Sequence, residues 1–297
     1  MVRRIFQFLD LIRVRQWVKN LLVLFPVFFS GHMADAIHMH LAVASFFSFS
    51  LVASFVYVLN DVSDAEKDRL HPRKRNRPIA SGQISAPIAL TFGILLLVLG
   101  IALCLLVAAA PMKSFVVLVV YVGLNLGYSF GLKRIPVVDV TLLAFGFVLR
   151  IIYGGYACGI SISSWLFLTV FAFSFYLALG KRKGELAKQG CAARDSLKAY
   201  TLEFLKKNMS VFAALGLTFY SLWSFQRVGD FDASIGLRTL AYVLAIVVAI
   251  IIYLRYSFDL ECREDEGDPT EILIHDAFLI ALVVLWVACI FVGVYVG

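Results

Sequence analysis

Residues 60 to 82 concentrate the groups in this chain that can do chemistry. The run Asn60-Asp61-Val62-Ser63-Asp64-Ala65-Glu66-Lys67-Asp68 is followed by Arg69, Arg73, Lys74, Arg75 and Arg77. Asp61, Asp64 and Asp68 stand at i, i+3 and i+7, and Asn60, Asp64 and Asp68 at i, i+4 and i+8. On a continuing helix this spacing sets all four oxygen-bearing groups on one face. Like charges so placed repel. A hard divalent cation shared with a substrate phosphate relieves the repulsion, because Mg²⁺ favours carboxylate oxygens together with phosphates. The basic residues that follow supply phosphate-binding donors. A solvated, charge-rich loop between two helices is the alternative. Spacing, amide and basic flank together favour a metal-and-phosphate site.

The elements that must position these groups are apolar. The chain has 297 residues, 61% of them hydrophobic and 16% charged, with a mean hydropathy of +0.87. A soluble chain carries roughly a quarter charged residues. About 20 apolar residues cross ~30 Å of hydrocarbon, and such runs recur at 21–31 (extended back toward Trp17), 41–59, 86–110, 114–131, 137–157, 163–180, 209–226, 236–254 and 277–296. Residues 1–20 alternate apolar and basic groups, as expected of an interfacial amphipathic segment. The five cysteines make no CxxC or metal-ligand spacing and the five histidines no HExxH cluster. The net charge of +7 reports loop orientation and anionic headgroups, and implies no nucleic acid.

Orientation follows from the basic residues. With a cytoplasmic N-terminus, the inner segments 1–20, 61–85, 132–136, 181–208 and 255–276 hold 23 of the 27 Lys and Arg residues, a strong positive-inside asymmetry. The acidic motif then faces the cytoplasm. Within the spans, Tyr121, Asn125 and Tyr128 form a stripe pointing toward Lys133 and Arg134. Asp139 and Arg150 share a helix face ~16 Å apart, and we read them as cavity residues. Arg150 is expected to bind an anion, with a structural pair to another helix as the alternative. The sixth span ends in Lys181-Arg182-Lys183-Gly184-Glu185 and opens the longest inner loop. In the last inner loop, Asp268 or Thr270 is expected to cap a helix starting near Glu271.

The Asn60-Asp61-x-x-Asp64-x-x-x-Asp68 run resembles the first aspartate-rich motif of the UbiA superfamily of intramembrane prenyltransferases, and the resemblance covers essentially the whole chain. It implies an all-α polytopic membrane protein. The expected fold is a nine-transmembrane-helix bundle with a cytoplasmic-facing polar cavity, forming a single domain over residues 1–297. Residues 60–85 and 181–208 become its cytoplasmic substrate-binding loops. It also implies that Asn60, Asp61, Asp64 and Asp68 hold Mg²⁺ against a diphosphate. Prenyl-transferring members carry a second aspartate-rich motif near the end of the sixth span. Gly180-Lys181-Arg182-Lys183-Gly184-Glu185 stands there instead, and basic side chains at that place bind phosphate directly.

A narrower branch, decaprenyl-phosphate phosphoribosyltransferase, is more similar. The likeness rests on Arg15-Gln16-Trp17-Val18-Lys19-Asn20, on Asn60 through Gly82 with His71-Pro72 and Arg77-Pro78, and on Leu132-Lys133-Arg134 with Pro136 and Asp139. Phe147-Val148-Leu149-Arg150 and Leu179-Gly180-Lys181-Arg182 complete it. It implies transfer of 5-phosphoribose from phosphoribosyl diphosphate (PRPP) to a polyprenyl phosphate in the plasma membrane, making a lipid-linked pentose precursor for cell-envelope polysaccharide. On that basis Arg73, Lys74, Arg75, Arg77, Tyr128, Lys133, Arg134, Lys181, Arg182 and Glu185 are candidates for PRPP. Arg13, Gln16, Lys19 and Asn20, at headgroup level, are candidates for the lipid phosphate. Two alternatives remain: a prenyltransferase moving an isoprenoid from its diphosphate to an aromatic or other small acceptor, and a lipid-phosphate or anion transporter. Small residues on several spans permit close packing and leave a homo-oligomer open.

Overall fold

The computed structural model describes residues 2–70, 74–189, 197, 199–228, 236–262 and 276–296. Regular structure among them is helical, without strands. In chain order the helices are α1 (Val2–Leu11), a 3-10 helix (Val14–Leu24), α2 (Phe25–Ser30), α3 (Ala36–Ser63) and α4 (Ala65–Arg69). They continue with α5 (Ala86–Val107), α6 (Pro111–Phe130), α7 (Val138–Cys158), α8 (Ser164–Gln189), α9 (Leu202–Val228), α10 (Leu237–Cys262) and α11 (Ala277–Phe291). A π-helical turn, Val292–Val296, extends α11.

Seven of the described helices, α3, α5, α6, α7, α8, α10 and α11 with its extension, are long and apolar enough to cross a membrane. The two other expected spans take different forms. Residues 21–31 are not one helix, because the 3-10 segment gives way to the six-residue α2. Residues 209–226 lie within α9, whose 27 residues begin with a polar stretch containing Glu203, Lys206 and Lys207. The amphipathic start is also broken. Arg13, between α1 and the 3-10 segment, adopts a left-handed conformation (φ 51°, ψ 52°), uncommon for a residue with a Cβ.

The described chain divides into two compact units. The first comprises Met1–Phe28, His32–Gly131 and Leu149–Ser161. Its core gathers Phe49, Val52, Phe55, Leu118, Tyr121 and Tyr153 from α3, α6 and the second half of α7. Small residues let α5 approach α3. A Cβ added at Gly100 would lie 2.8 Å from Val52 Cγ2 and 2.9 Å from the Ser48 carbonyl oxygen, and Ser48 Oγ donates to the Gly100 carbonyl at 2.8 Å. A smaller cluster of Leu11, Val58, Ile79, Ile84 and Ala89 pins residues 79–84 against α3, bringing Arg77 back beside the end of that helix. Trp17 Nε1 donates to Ser54 Oγ at 3.1 Å, which fixes the 3-10 segment on α3 as well.

The second unit comprises Phe29–Gly31, Leu132–Val148 and Ile162–Gly297. Its core is built from Val140, Ala144, Tyr176, Leu179, Leu205, Met209, Tyr256, Leu260 and Leu279. Gly216 of α9 faces the ring of Phe173 on α8, where a Cβ would stand 3.0 Å away. Asp276 caps α11, accepting from Phe278 N at 2.9 Å and Leu279 N at 3.3 Å. The hydrogen bond from Arg255, followed by that with Asp259 and then those from the helix amides, holds its carboxyl well below the ordinary carboxylate range. Asp268 and Thr270, the expected caps, lie outside the described residues.

Gly100→Ala is expected to lower the thermal stability of the detergent-purified protein by about 1–3 kcal/mol, because its methyl group overpacks the α3–α5 contact. Gly123 on α6 has nothing within 4 Å of its would-be Cβ, and Gly123→Ala should leave the unfolding midpoint unchanged or slightly raised.

Candidate functional site

The acidic motif sits where α3 ends. Asp64 interrupts the helix (φ −97°, ψ 4°), yet its amide still donates to the Asn60 carbonyl at 2.9 Å, and the Asp68 amide to the Asp64 carbonyl at 2.9 Å. Helical phase therefore carries through the break, as the spacing predicts. Asp61 and Asp68 are buried, and Asn60 and Asp64 are half-buried.

Two guanidiniums close on these carboxylates. Arg77 Nη1 donates to Asp61 Oδ1 at 3.1 Å and to Asp68 Oδ2 at 2.6 Å. Arg13 Nη2 donates to the same Asp61 oxygen, with its guanidinium carbon 5.2 Å from the centroid of the Tyr57 ring. The carboxylate side chains are 3% and 6% exposed, whereas the arginine side chains keep 25% and 28%. The negative groups are the interior of the cluster and the positive groups its face to solvent. Ser129 Oγ is within hydrogen-bond reach of both Asn60 Oδ1 and the Asn125 carbonyl, tying the Asn60 side chain to α6.

Sequence reasoning placed Arg13 among the lipid-phosphate candidates, whereas the structure sets it on Asp61. The left-handed turn at Arg13 delivers it there, and no sequence pattern signals that turn. Ser129 was missed, although it stands at i+4 from Asn125 on the polar stripe of α6. Asn125 Nδ2 donates to the Tyr121 carbonyl at 2.8 Å within that helix.

All the candidate metal ligands offer oxygen, the donor that hard divalent cations prefer, and two of the carboxylates already converge on one cationic nitrogen. The residues fit such an ion. Among the described residues, however, no group of three or more His, Cys, Asp or Glu side chains is preassembled to hold a metal. Arg13 and Arg77 occupy the oxygens instead.

The remaining candidates of the first unit divide clearly. Gln16, Lys19, Lys74 and Tyr128 are half-buried and Arg75 is exposed, while Arg73 lies outside the described residues. Arg69 Nε donates to the Ala80 carbonyl at 3.3 Å and so anchors the returning segment. Asn20 departs from the headgroup expectation. It is 1% exposed, donating to Ser50 Oγ at 3.0 Å and accepting from Arg150 Nε at 2.8 Å. Arg150 also reaches Tyr121 OH at 3.4 Å and stacks over the rings of Phe49 and Tyr121. A buried guanidinium requires acceptors, and neutral oxygens and aromatic faces are among the groups that surround this one.

In the second unit Asp139 and Arg182 form a buried ion pair, Arg182 Nε lying 2.7 Å from Asp139 Oδ2. Arg182 Nη1 also donates to Glu185 Oε2 at 2.5 Å. Tyr200, unforeseen from sequence, donates to Asp139 Oδ1 at 2.7 Å and accepts from the Val137 amide at 2.6 Å. Burial, then the hydrogen bond to Asp139, pushes its phenol up to about 12. Lys183 is buried against Glu261 Oε1 at 2.6 Å, and Lys206 takes the other oxygen at 3.0 Å. Arg182, expected to meet phosphate directly, pairs here with two carboxylates. Its neighbour Lys181 is half-buried and has no ion pair among the described residues. Lys133 is half-buried and Arg134 exposed.

These contacts predict unequal stability effects along the Lys181–Lys183 run. Arg182→Gln strands a buried carboxylate and should destabilise the protein by about 3–5 kcal/mol. Lys181→Gln should stay within about 0.5 kcal/mol of the parent. Thermal unfolding in detergent measures both.

Comparison with known proteins adds a family. Residues 23–258 match the model of the UbiA prenyltransferase family. Decaprenyl-phosphate phosphoribosyltransferase of Corynebacterium glutamicum is 38% identical over 294 residues, 96% of this chain and 86% of that protein. The protein of the same name from Mycolicibacterium smegmatis is 35% identical over 298 residues, 96% of this chain and 91% of that protein. Among solved structures, a UbiA homologue from Archaeoglobus fulgidus bound to GPP and Mg²⁺ aligns over 97% of this chain and 99% of its own. The TM-score is 0.68 at 20% identity, a likeness of fold.

Proposed function

This chain belongs to the UbiA prenyltransferase family, and we propose that it transfers 5-phosphoribose from PRPP to a polyprenyl phosphate of the decaprenyl type, releasing diphosphate. The observation that carries this reading is the identity of 35% and 38%, over nearly the whole chain, to proteins named for that activity. The product is a 5-phosphoribosyl-1-phospho-polyprenol, a lipid-linked pentose precursor suited to cell-envelope polysaccharide. The protein is an integral membrane protein. We place it in the plasma membrane with its N-terminus and reacting groups on the cytoplasmic side, following the asymmetry of its basic residues.

Asp61, Asp64 and Asp68, with Asn60, would hold Mg²⁺. When bound, the ion supplies charge stabilisation for the departing diphosphate. The chain's own groups do the rest. Arg77 and Arg13, partly exposed at the edge of the carboxylates, provide guanidinium forks matched to phosphate oxygens. Lys74 and Arg75 lie on the same returning segment. In the second unit Lys181 is the residue of the basic run left for an anion, because Arg182 and Lys183 are committed to carboxylates. In the reaction the bond from ribose C1 to the diphosphate oxygen breaks, and one from C1 to a phosphate oxygen of the lipid forms. The lipid phosphate is already an oxyanion at neutral pH, so no general base is required. Donors aimed at the leaving group are the effective catalysts of such a step.

The donor assay tests the reading. With radiolabelled PRPP and a polyprenyl phosphate, label should pass into the lipid-extractable fraction. Transfer only from a polyprenyl diphosphate would establish prenyl transfer instead. Asp61→Asn and Asp64→Asn are each expected to lower Mg²⁺-dependent transfer by about 100-fold or more while eluting as monodisperse protein in detergent. Full activity in both would remove the acidic motif from the mechanism.

A further inference from the structure

Asp61 and Asp68 are assigned above to a cation, yet their oxygens Oδ1 and Oδ2 are held by Arg77, and the same Asp61 oxygen by Arg13. The two guanidiniums offset the charges of Asp61 and Asp68 and cover one oxygen of each. Oxygens so paired attract a bare divalent cation weakly, and the two guanidiniums repel it at close range. A cation that arrives with its own diphosphate meets a different balance. Its positive charge replaces the guanidiniums on the carboxylates, and its phosphate oxygens offer them new partners with the fork geometry that arginine matches.

From this we propose that Arg77 and Arg13 exchange partners, leaving Asp61 and Asp68 for the diphosphate when the cation enters, so that the site takes cation and diphosphate together and discriminates against either alone. The placement supports such an exchange. The carboxylates are buried and fixed on α3 and α4, whereas the arginines are about a quarter exposed and come from outside those helices. Arg77 lies on the segment pinned by Ile79 and Ile84, and Arg13 at the break after α1. Both can therefore turn outward while the backbone that carries the carboxylates stays in place. The arginines thereby become ligands whose availability depends on the metal, a coupling between two bound species in the thermodynamic sense.

The inference rests on the reading of Asp61 and Asp68 as cation ligands, and its test keeps the two apart. Binding of Mn²⁺ to the full-length protein in detergent is measured by equilibrium dialysis, with and without inorganic diphosphate and without any turnover. In the parent protein diphosphate should tighten Mn²⁺ by about tenfold or more. Arg77→Gln should bind Mn²⁺ alone about tenfold more tightly than the parent and lose most of the gain from diphosphate. Arg13→Gln should shift both quantities in the same directions, and it carries the test if Arg77→Gln does not remain monodisperse. An undiminished diphosphate gain in the folded arginine variants would overturn the exchange even if Mn²⁺ alone binds more tightly, since removing positive charge does that without any change of partner. Parent-like Mn²⁺ affinity in Asp61→Asn would overturn the ligand assignment itself and the exchange with it. The choice between PRPP and a prenyl diphosphate as donor does not enter, because inorganic diphosphate is common to both.

Discussion

A carboxylate buried at the end of a membrane helix has to be compensated, and Asp61 organises much of the first unit around that requirement. Removing a charge from water is expensive unless it is paired and hydrogen-bonded. Asp61 is 2% exposed and meets the demand with two guanidiniums drawn from opposite directions in sequence, 48 residues before it and 16 residues after it. Each reach constrains backbone. The earlier arginine needs the left-handed turn after α1, and the later one needs the chain to fold back over α3 with Ile79 and Ile84 tucked beneath it. Local geometry that looks irregular from sequence is thus the means by which distant charges are brought to one carboxylate.

The second unit solves the same problem differently. Asp139 is wholly buried, and it is surrounded by Arg182, the phenol of Tyr200 and the Val140 amide. Among the described residues no solvent-facing cation is involved. A pair buried on both sides acts as a fixed joint, whereas the Asp61 cluster, with its cations at the edge, is open to rearrangement. The two acidic positions, both conspicuous in an apolar sequence, therefore have different physical characters that only the burial of their partners reveals.

Much of the architecture was legible in the sequence because hydrocarbon imposes length and composition on whatever crosses it. Seven expected spans form helices of the expected kind, and the i, i+3, i+7 spacing of the acidic groups survives the break at Asp64. What the sequence concealed was partnership. Nothing in the local pattern distinguishes Arg182, which is 1% exposed, from its half-buried neighbour Lys181, because adjacent residues on a helix point about 100° apart and the orientation is set by packing. Asn20 looked like a headgroup ligand by its position among basic residues, yet its amide serves Arg150. Tyr200 carried no signal at all, being a lone tyrosine in a polar stretch.

The commitment of Arg182 to Asp139 and Glu185 bears on how sequences of this kind can diverge. Exchanging Arg182 alone for an aspartate, as a step toward a second acidic motif, would set three carboxylates against one another in a dry interior. Asp139 and Glu185 would have to lose their charge before such a step became tolerable. The order of substitutions along a lineage is thereby constrained, and Arg182 is held in place by the carboxylates it neutralises.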